Sequence, residues 1–213
     1  MSKAMIWGAN SDIGRAIIQQ LDQEGWQVVA FARDETAVSD LPATIIEVGD
    51  VADAFAVQTA VRSAAYEIDE VALWLYAVGD ITAVSVSDMP HSDWQRILNA
   101  NLTGAYLTLH HSLPLLAEDA HLMFVGAIHE RLRLPGLSAY AAAKAGLDAF
   151  AEALKKEQRH KKVSVIRPGA VATKFWDKVP LKMPSDAMSP EKLAAKIWEA
   201  YESGHKGQLD LTH

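Results

Sequence analysis

AMIWGANSDIGRAIIQQLDQE, residues 4–24, sets the pattern that the rest of the chain repeats. Ala4–Trp7 is a short apolar run of strand character. Gly8–Gly14 is a turn with glycine at both ends, and an amphipathic helix follows to about Glu24. Strand, glycine-bearing turn and helix form the context that a dinucleotide phosphate loop requires. Free amides at a helix start face a pyrophosphate, and glycine lets the backbone approach closely. The loop carries two glycines rather than three, so a plain structural turn is the competing reading.

Working outward, the alternation continues. Gly25 ends the helix, and Trp26–Ala32 (WQVVAFA) reads as a buried parallel strand. Ala43–Val48 is a third strand, Asp53 a helix cap, and Val71–Tyr76 (VALWLY) a fourth strand closing in Ala77-Val78-Gly79. A long helix is expected from Ser92 to about Ala117 and a fifth strand over His121–Val125. A helix to about Gln158, a sixth strand over Lys162–Arg167, a last helix over Pro190–Ser203 and a short strand over Gly207–Leu211 complete the pattern. Near-continuous apolar strands alternating with helices, without repeats or linkers, predict one α/β domain over residues 1–213 with a doubly wound parallel sheet.

Composition narrows the function. The 213 residues are 50% hydrophobic, enough for one sizeable core, and include no cysteine. Disulfides, thiolate metal sites and cysteine nucleophiles are excluded, and no metal is expected. A formal charge of −7 gives no support to nucleic-acid binding. No apolar run is long enough to span a membrane, and the N-terminus lacks signal-peptide architecture, so a cytoplasmic protein is expected.

Ser138–Phe150, SAYAAAKAGLDAF, places Tyr140 and Lys144 one helical turn apart on one face. A phenol beside an ammonium is an acid–base unit, in which the cation is expected to draw the tyrosine pKa toward neutrality. An ordinary amphipathic helix has the same spacing. Arg33 stands just after the second strand, where an acidic residue takes a ribose 2′-hydroxyl and an arginine takes a 2′-phosphate. That favours NADP(H) over NAD(H), although Asp34 is positioned to pair with Arg33. Asn101, inside the long helix, is either a satisfied core asparagine or part of a site.

Six signals in order resemble the short-chain dehydrogenase/reductase family in its single-domain form, from Met5 to about Thr173. They are GANSDIG (8–14), Asp50-Val51, YAVG (76–79), NLTG (101–104), Tyr140-Ala-Ala-Ala-Lys144 and RPGAVAT (167–173). The resemblance implies a Rossmann-type sheet of about seven strands in the order 3-2-1-4-5-6-7, with helices on both faces. It implies that Gly8, Asn10, Ser11, Asp12, Ile13 and Gly14 surround the pyrophosphate and adjacent ribose. Arg33 would hold the 2′-phosphate, Asp50 and Val51 would meet the adenine, and Ala77 and Gly79 the adenosine ribose. Tyr140 and Lys144 would bond the nicotinamide ribose. Pro168, Gly169, Val171 and Thr173 would line the nicotinamide end, with Val171 and Thr173 at its carboxamide. Tyr140 would be the general acid for carbonyl reduction or the base for alcohol oxidation, and Asn101 would hold a water relaying protons to Lys144. Residues 174–189 would form a substrate lid, whose Phe175, Trp176 and Met183 suggest an apolar carbonyl or alcohol substrate. The two long helices resemble the pair through which the family forms homodimers and homotetramers.

Several positions depart from the family pattern. Asp12 replaces the middle glycine and must turn away from the phosphates. Trp7 replaces a threonine, and Tyr76-Ala77 replace an asparagine pair, removing hydrogen bonds. Ala127 stands thirteen positions before Tyr140, where the family has its catalytic serine. His129 and Ser138 are the nearest polar residues to substitute, and His129 reads equally as an exposed loop histidine. Two further functions therefore compete with an NADP(H)-dependent oxidoreductase. One is a cofactor-binding sensor or regulatory protein with little catalysis. The other, ranked last because the chain leaves little room for a substrate domain, is a nucleotide-sugar epimerase or dehydratase.

Overall fold

The computed structural model describes residues 1–212. Seven strands, β1 (Lys3–Trp7), β2 (Gln27–Ala32), β3 (Thr44–Glu47), β4 (Val71–Tyr76), β5 (Leu116–Val125), β6 (Lys162–Pro168) and β7 (Gly207–Leu211), form one sheet in the order β3-β2-β1-β4-β5-β6-β7. Every pairing is parallel. Six helices connect them: α1 (Asp12–Gln23), α2 (Ala54–Ala64), α3 (His91–Leu98), α4 (Gly104–Ser112), α5 (Ser138–Glu157) and α6 (Pro190–Glu202). This is the single Rossmann-type domain expected.

The pleat divides the strands between two cores. Ala4 and Ile6 of β1 pack with α1 and α6 on one face, whereas Met5 and Trp7 pack with α2, α4 and α5 on the other. Trp7 lies flat on Phe31, with ring centroids 3.7 Å apart. The residue in the threonine position is therefore a core aromatic. A smaller cluster of Ile81, Ile97, Leu137, Ala139, Tyr140 and Ala143 sits apart from both cores.

One expected element is corrected. The helix predicted from Ser92 to Ala117 is α3, a π-helical turn over Asn99–Thr103, and α4, followed by a 3₁₀ turn over Leu113–Leu115. Ala117 already belongs to β5, which starts at Leu116 rather than His121. Pro114 lacks the N–H that would continue a helix, which ends α4 early. The π turn closes through Gly104 N–H donating to Asn99 O. Gly104 fits because a Cβ there would lie 2.5 Å from the Tyr76 hydroxyl and 2.6 Å from Val51 Cγ2. Among the described residues, no helix is long and apolar enough to cross a membrane.

Candidate active site

The carboxyl ends of β1 and β4 flank the point where strand order reverses, the usual binding crevice of an open α/β sheet. A cavity of about 1190 Å³ opens there. At its β1 end, Gly8 adopts φ +105°, and a Cβ on it would come within 2.9 Å of Ala77 C. Glycine is required on both counts. Gly14 is packed against the same turn, since its Cβ would meet Gly8 O at 2.2 Å. Ser11 caps α1 by accepting from Gly14 N–H at 2.9 Å, and its hydroxyl donates to Gly8 O at 2.8 Å. Asn10 Oδ1 accepts from Arg33 N–H at 2.6 Å, bracing the loop against the end of β2.

Gly8, Asn10, Ser11, Asp12, Ile13, Arg33, Asp50, Val51, Ala77, Gly79, Tyr140, Lys144, Pro168, Gly169, Val171 and Thr173 all line this one cavity. Gly14 and Asn101 do not. Gly14 is buried in the turn it shapes, and Asn101 lies behind Gly79, whose added Cβ would be 3.2 Å from Asn101 Oδ1. The feared pairing of Arg33 with Asp34 is absent. The Asp34 carboxylate instead accepts from the Thr36 hydroxyl and N–H, at 2.6 and 2.9 Å, and these bonds hold its pKa below the usual carboxylate range.

Tyr140 and Lys144 project from one face of α5 and are almost fully buried, 8% and 3% exposed. Lys144 Nζ lies 5.7 Å from the Tyr140 ring centroid and donates to Val125 O at 2.9 Å. Burial lowers Lys144 to about 8, opposed by the charge of Asp148. Burial pushes the Tyr140 phenol up, contrary to the expected fall toward neutrality. The physical reason is that loss of solvent disfavours the phenolate. Burial in the chain by itself therefore favours the neutral phenol of Tyr140.

Asn101 answers the question left open by its sequence. It is fully buried in the π turn, and its Nδ2 donates to Ile97 O at 2.8 Å and Asp80 O at 2.7 Å. Its Oδ1 is buried without a hydrogen-bond partner in the chain. Tyr76 is not simply a lost asparagine, because its hydroxyl donates to Ala100 O at 2.7 Å and ties β4 to that turn.

Neither residue named as a substitute for serine reaches the cavity beside Ala127. The His129 ring turns to the buried Asp148 carboxylate, with Nε2 3.2 Å from Oδ2, the same oxygen that lies 3.5 Å from Arg167 Nη1. Ser138 Oγ is buried without a partner. Ala127 itself lines the cavity and offers it no side-chain hydrogen-bond donor.

The segment after Thr173 is latched over the cavity. Lys174 N–H donates to Asp12 Oδ2 at 2.9 Å, and Lys178 Nζ donates to Asp80 Oδ1 at 2.6 Å. Arg96 binds the other oxygen of Asp80. Phe175 packs on Tyr140, with centroids 5.7 Å apart, and Trp176 Nε1 donates to Val171 O at 2.8 Å. Asp80 and Asp148 escaped the sequence reading. The signal for Asp148 was present, since the four-residue step from Tyr140 to Lys144 continues to it.

A family model described as short chain dehydrogenase matches residues 2–183. The chain is 27% identical over 183 residues to a 3-oxoacyl-[acyl-carrier-protein] reductase of Synechocystis, covering 80% of this chain and 74% of that protein. Its fold matches an alcohol dehydrogenase of Thermococcus sibiricus solved with 5-hydroxy-NADP, at TM-score 0.89 and 19% identity, over 100% of this chain and 96% of the other. It also matches a 3-ketoacyl-(acyl-carrier-protein) reductase of Brucella melitensis solved with NADH, at TM-score 0.88 and 19% identity, over 99% and 96% of the two chains.

Proposed function

The chain belongs to the short-chain dehydrogenase family, and from that premise we propose that it is an NADP(H)-dependent oxidoreductase interconverting a carbonyl and an alcohol. The observation that carries this reading is the buried Tyr140–Lys144 pair in a cavity that also contains the glycine turn and Arg33.

The residues fit a nicotinamide dinucleotide. Gly8 lets the turn close onto the Ala77–Val78 backbone at the rim of the cavity, where a side chain would clash, and Arg33 offers a guanidinium that Asp34 does not engage. Gly8, Asn10, Ser11 and Ile13 would hold the pyrophosphate side, Arg33 the 2′-phosphate, Asp50 and Val51 the adenine, and Ala77 and Gly79 the adenosine ribose. Pro168, Gly169, Val171 and Thr173 would hold the nicotinamide end. When bound, the nicotinamide supplies the hydride for reduction or takes it in oxidation.

Protonated Tyr140 gives its hydroxyl proton to the substrate oxygen in reduction, and the phenolate takes it back in oxidation. The Lys144 ammonium stabilises the phenolate that results. Asn101 Oδ1, lacking a partner in the chain, would accept from a water on the way to Lys144. The 174–189 segment acts as a lid, and Phe175 against Tyr140 supports an apolar substrate. The exposed Tyr106 on α4 suits a homodimer formed through α4 and α5.

The test is NADPH consumption across a carbonyl panel, with Tyr140→Phe as control. Turnover that survives in that variant would sink the mechanism. Ala127 favours a second reading, a cofactor-binding sensor with weak chemistry. That reading requires tight NADP(H) binding by calorimetry and no wild-type turnover on any carbonyl.

A further inference from the structure

The four-residue turn His129–Leu132, just past the exit of β5, faces two ways. His129 and Glu130 point into a cluster of charges behind the cavity: His129 meets Asp148, and Glu130 pairs with Arg167. Arg131 and Leu132 instead line the cavity shared with Tyr140. Leu132 packs on the apolar cluster that includes Tyr140 and Leu137, together with Phe175 and Val179 from the lid.

The cations near that cluster are otherwise engaged. Lys144 donates to Val125 O, and Arg96 and Lys178 share the two oxygens of Asp80. Among the described residues, no carboxylate pairs with Arg131. Arg131 is exposed at the edge of this apolar wall, so its guanidinium is open to an anion entering the cavity. The guanidinium fork matches a carboxylate bidentately.

Building on the oxidoreductase reading, we propose that the substrate of this site is an oxo acid or hydroxy acid. Its carboxylate is held by Arg131, and its apolar body lies along Leu132, Leu137 and Val179. The acid group sets specificity, while the carbonyl remains the reacting centre at Tyr140.

The experiment compares NADPH-dependent reduction of 4-oxo-4-phenylbutanoate with that of its methyl ester, in the wild type, Arg131→Met and Arg131→Lys. The acid should be preferred by the wild type, through a lower KM. In Arg131→Met the acid-to-ester ratio of kcat/KM should fall about tenfold, with Arg131→Lys between the two. A ratio unmoved by Arg131→Met overturns the proposal and leaves the oxidoreductase reading standing.

A second arm reads binding without turnover. In the presence of NADP(H), 4-phenylbutanoate is titrated against 4-phenylbutanamide by calorimetry. If neither carbonyl turns over but the carboxylate binds in preference and Arg131→Met removes the preference, the site assignment stands and the catalytic reading falls. If the two ligands bind alike, or if Arg131→Met weakens the cofactor rather than the acid, the proposal is overturned and Arg131 is a solvated or cofactor-facing residue.

Discussion

Asp12 Oδ2 accepts a hydrogen bond from the backbone N–H of Lys174 at 2.9 Å, joining the first turn of α1 to a turn 162 residues further along the chain. A residue that looks misplaced in a phosphate loop is thus an anchor for the segment over the site. Its carboxylate places one oxygen on the segment after Thr173.

Asp12→Asn keeps an acceptor for Lys174 N–H and removes the charge, whereas Asp12→Ala removes both. Loss of a partly screened charge near a pyrophosphate is worth about 0.5–1 kcal/mol, a two- to fivefold gain in affinity. Both variants should bind NADP(H) tighter by calorimetry. If residues 174–189 act as the proposed lid, only Asp12→Ala should raise the substrate KM, because only it removes the acceptor for Lys174 N–H.

Ala127→Ser restores a hydroxyl at a position that lines the cavity. A single donor to a developing oxyanion is worth about 10²–10³ in kcat. Steady-state kinetics should show a gain toward that size with the cofactor Kd little changed. An unchanged kcat would mean that the site already has its donor.

In the proposed mechanism Lys144 acts as a cation, and burial brings its pKa to about 8. Activity should therefore decline as pH rises through about 8, since the ammonium is lost there. The negative charge of Asp148 supports the ammonium, so Asp148→Asn should move that decline to lower pH in the kcat profile. Arg167 keeps Glu130 and Asp210 as partners in the variant, so its own charge is not left unpaired.

His121 links pH to stability. Ser164 Oγ donates to His205 O at 2.7 Å, so His121 Nε2, 2.7 Å away, must donate to Ser164 Oγ. Its Nδ1 is then the unprotonated nitrogen, buried without a partner. Burial first, then nearby Lys162, lowers its pKa from 6.5 to about 4. The unfolded chain binds this proton at higher pH than the folded one. Stability should therefore drop as pH falls from about 6.5 to about 4, by up to about 3 kcal/mol. Urea unfolding at pH 7 and pH 5 should show the loss, and His121→Gln should flatten it.

Gly104→Ala would push a methyl group into the Tyr76 hydroxyl and Val51. Overpacking of this kind costs about 1–3 kcal/mol, and it would displace the Tyr76 bond to Ala100 O. A lower Tm is expected, together with weaker turnover if the π turn carrying Asn101 shifts.

The sequence by itself determined the sheet and the address of the site. Near-continuous apolar strands, helical stripes, the glycine of position 8 and caps such as Asp53 are local signals, each written within a few residues. Asp53 does accept from Phe55 and Ala56 N–H, as its place before a helix predicts. Only the tertiary structure decided which side chains work together. The π turn within the Ser92–Ala117 stretch is tied to β4 by the Tyr76 hydroxyl and packed so closely that only glycine fits at 104, a contact that exists only in the folded chain. His129 turns to Asp148, nineteen positions later and buried beside Arg167, rather than to the cavity. Asp12 finds Lys174, and Asp80 finds Lys178, only once the sheet has brought distant loops to one end. The direction of the Tyr140 pKa shift follows the same rule, because spacing along a helix specifies neighbours, whereas desolvation is a property of everything packed around them.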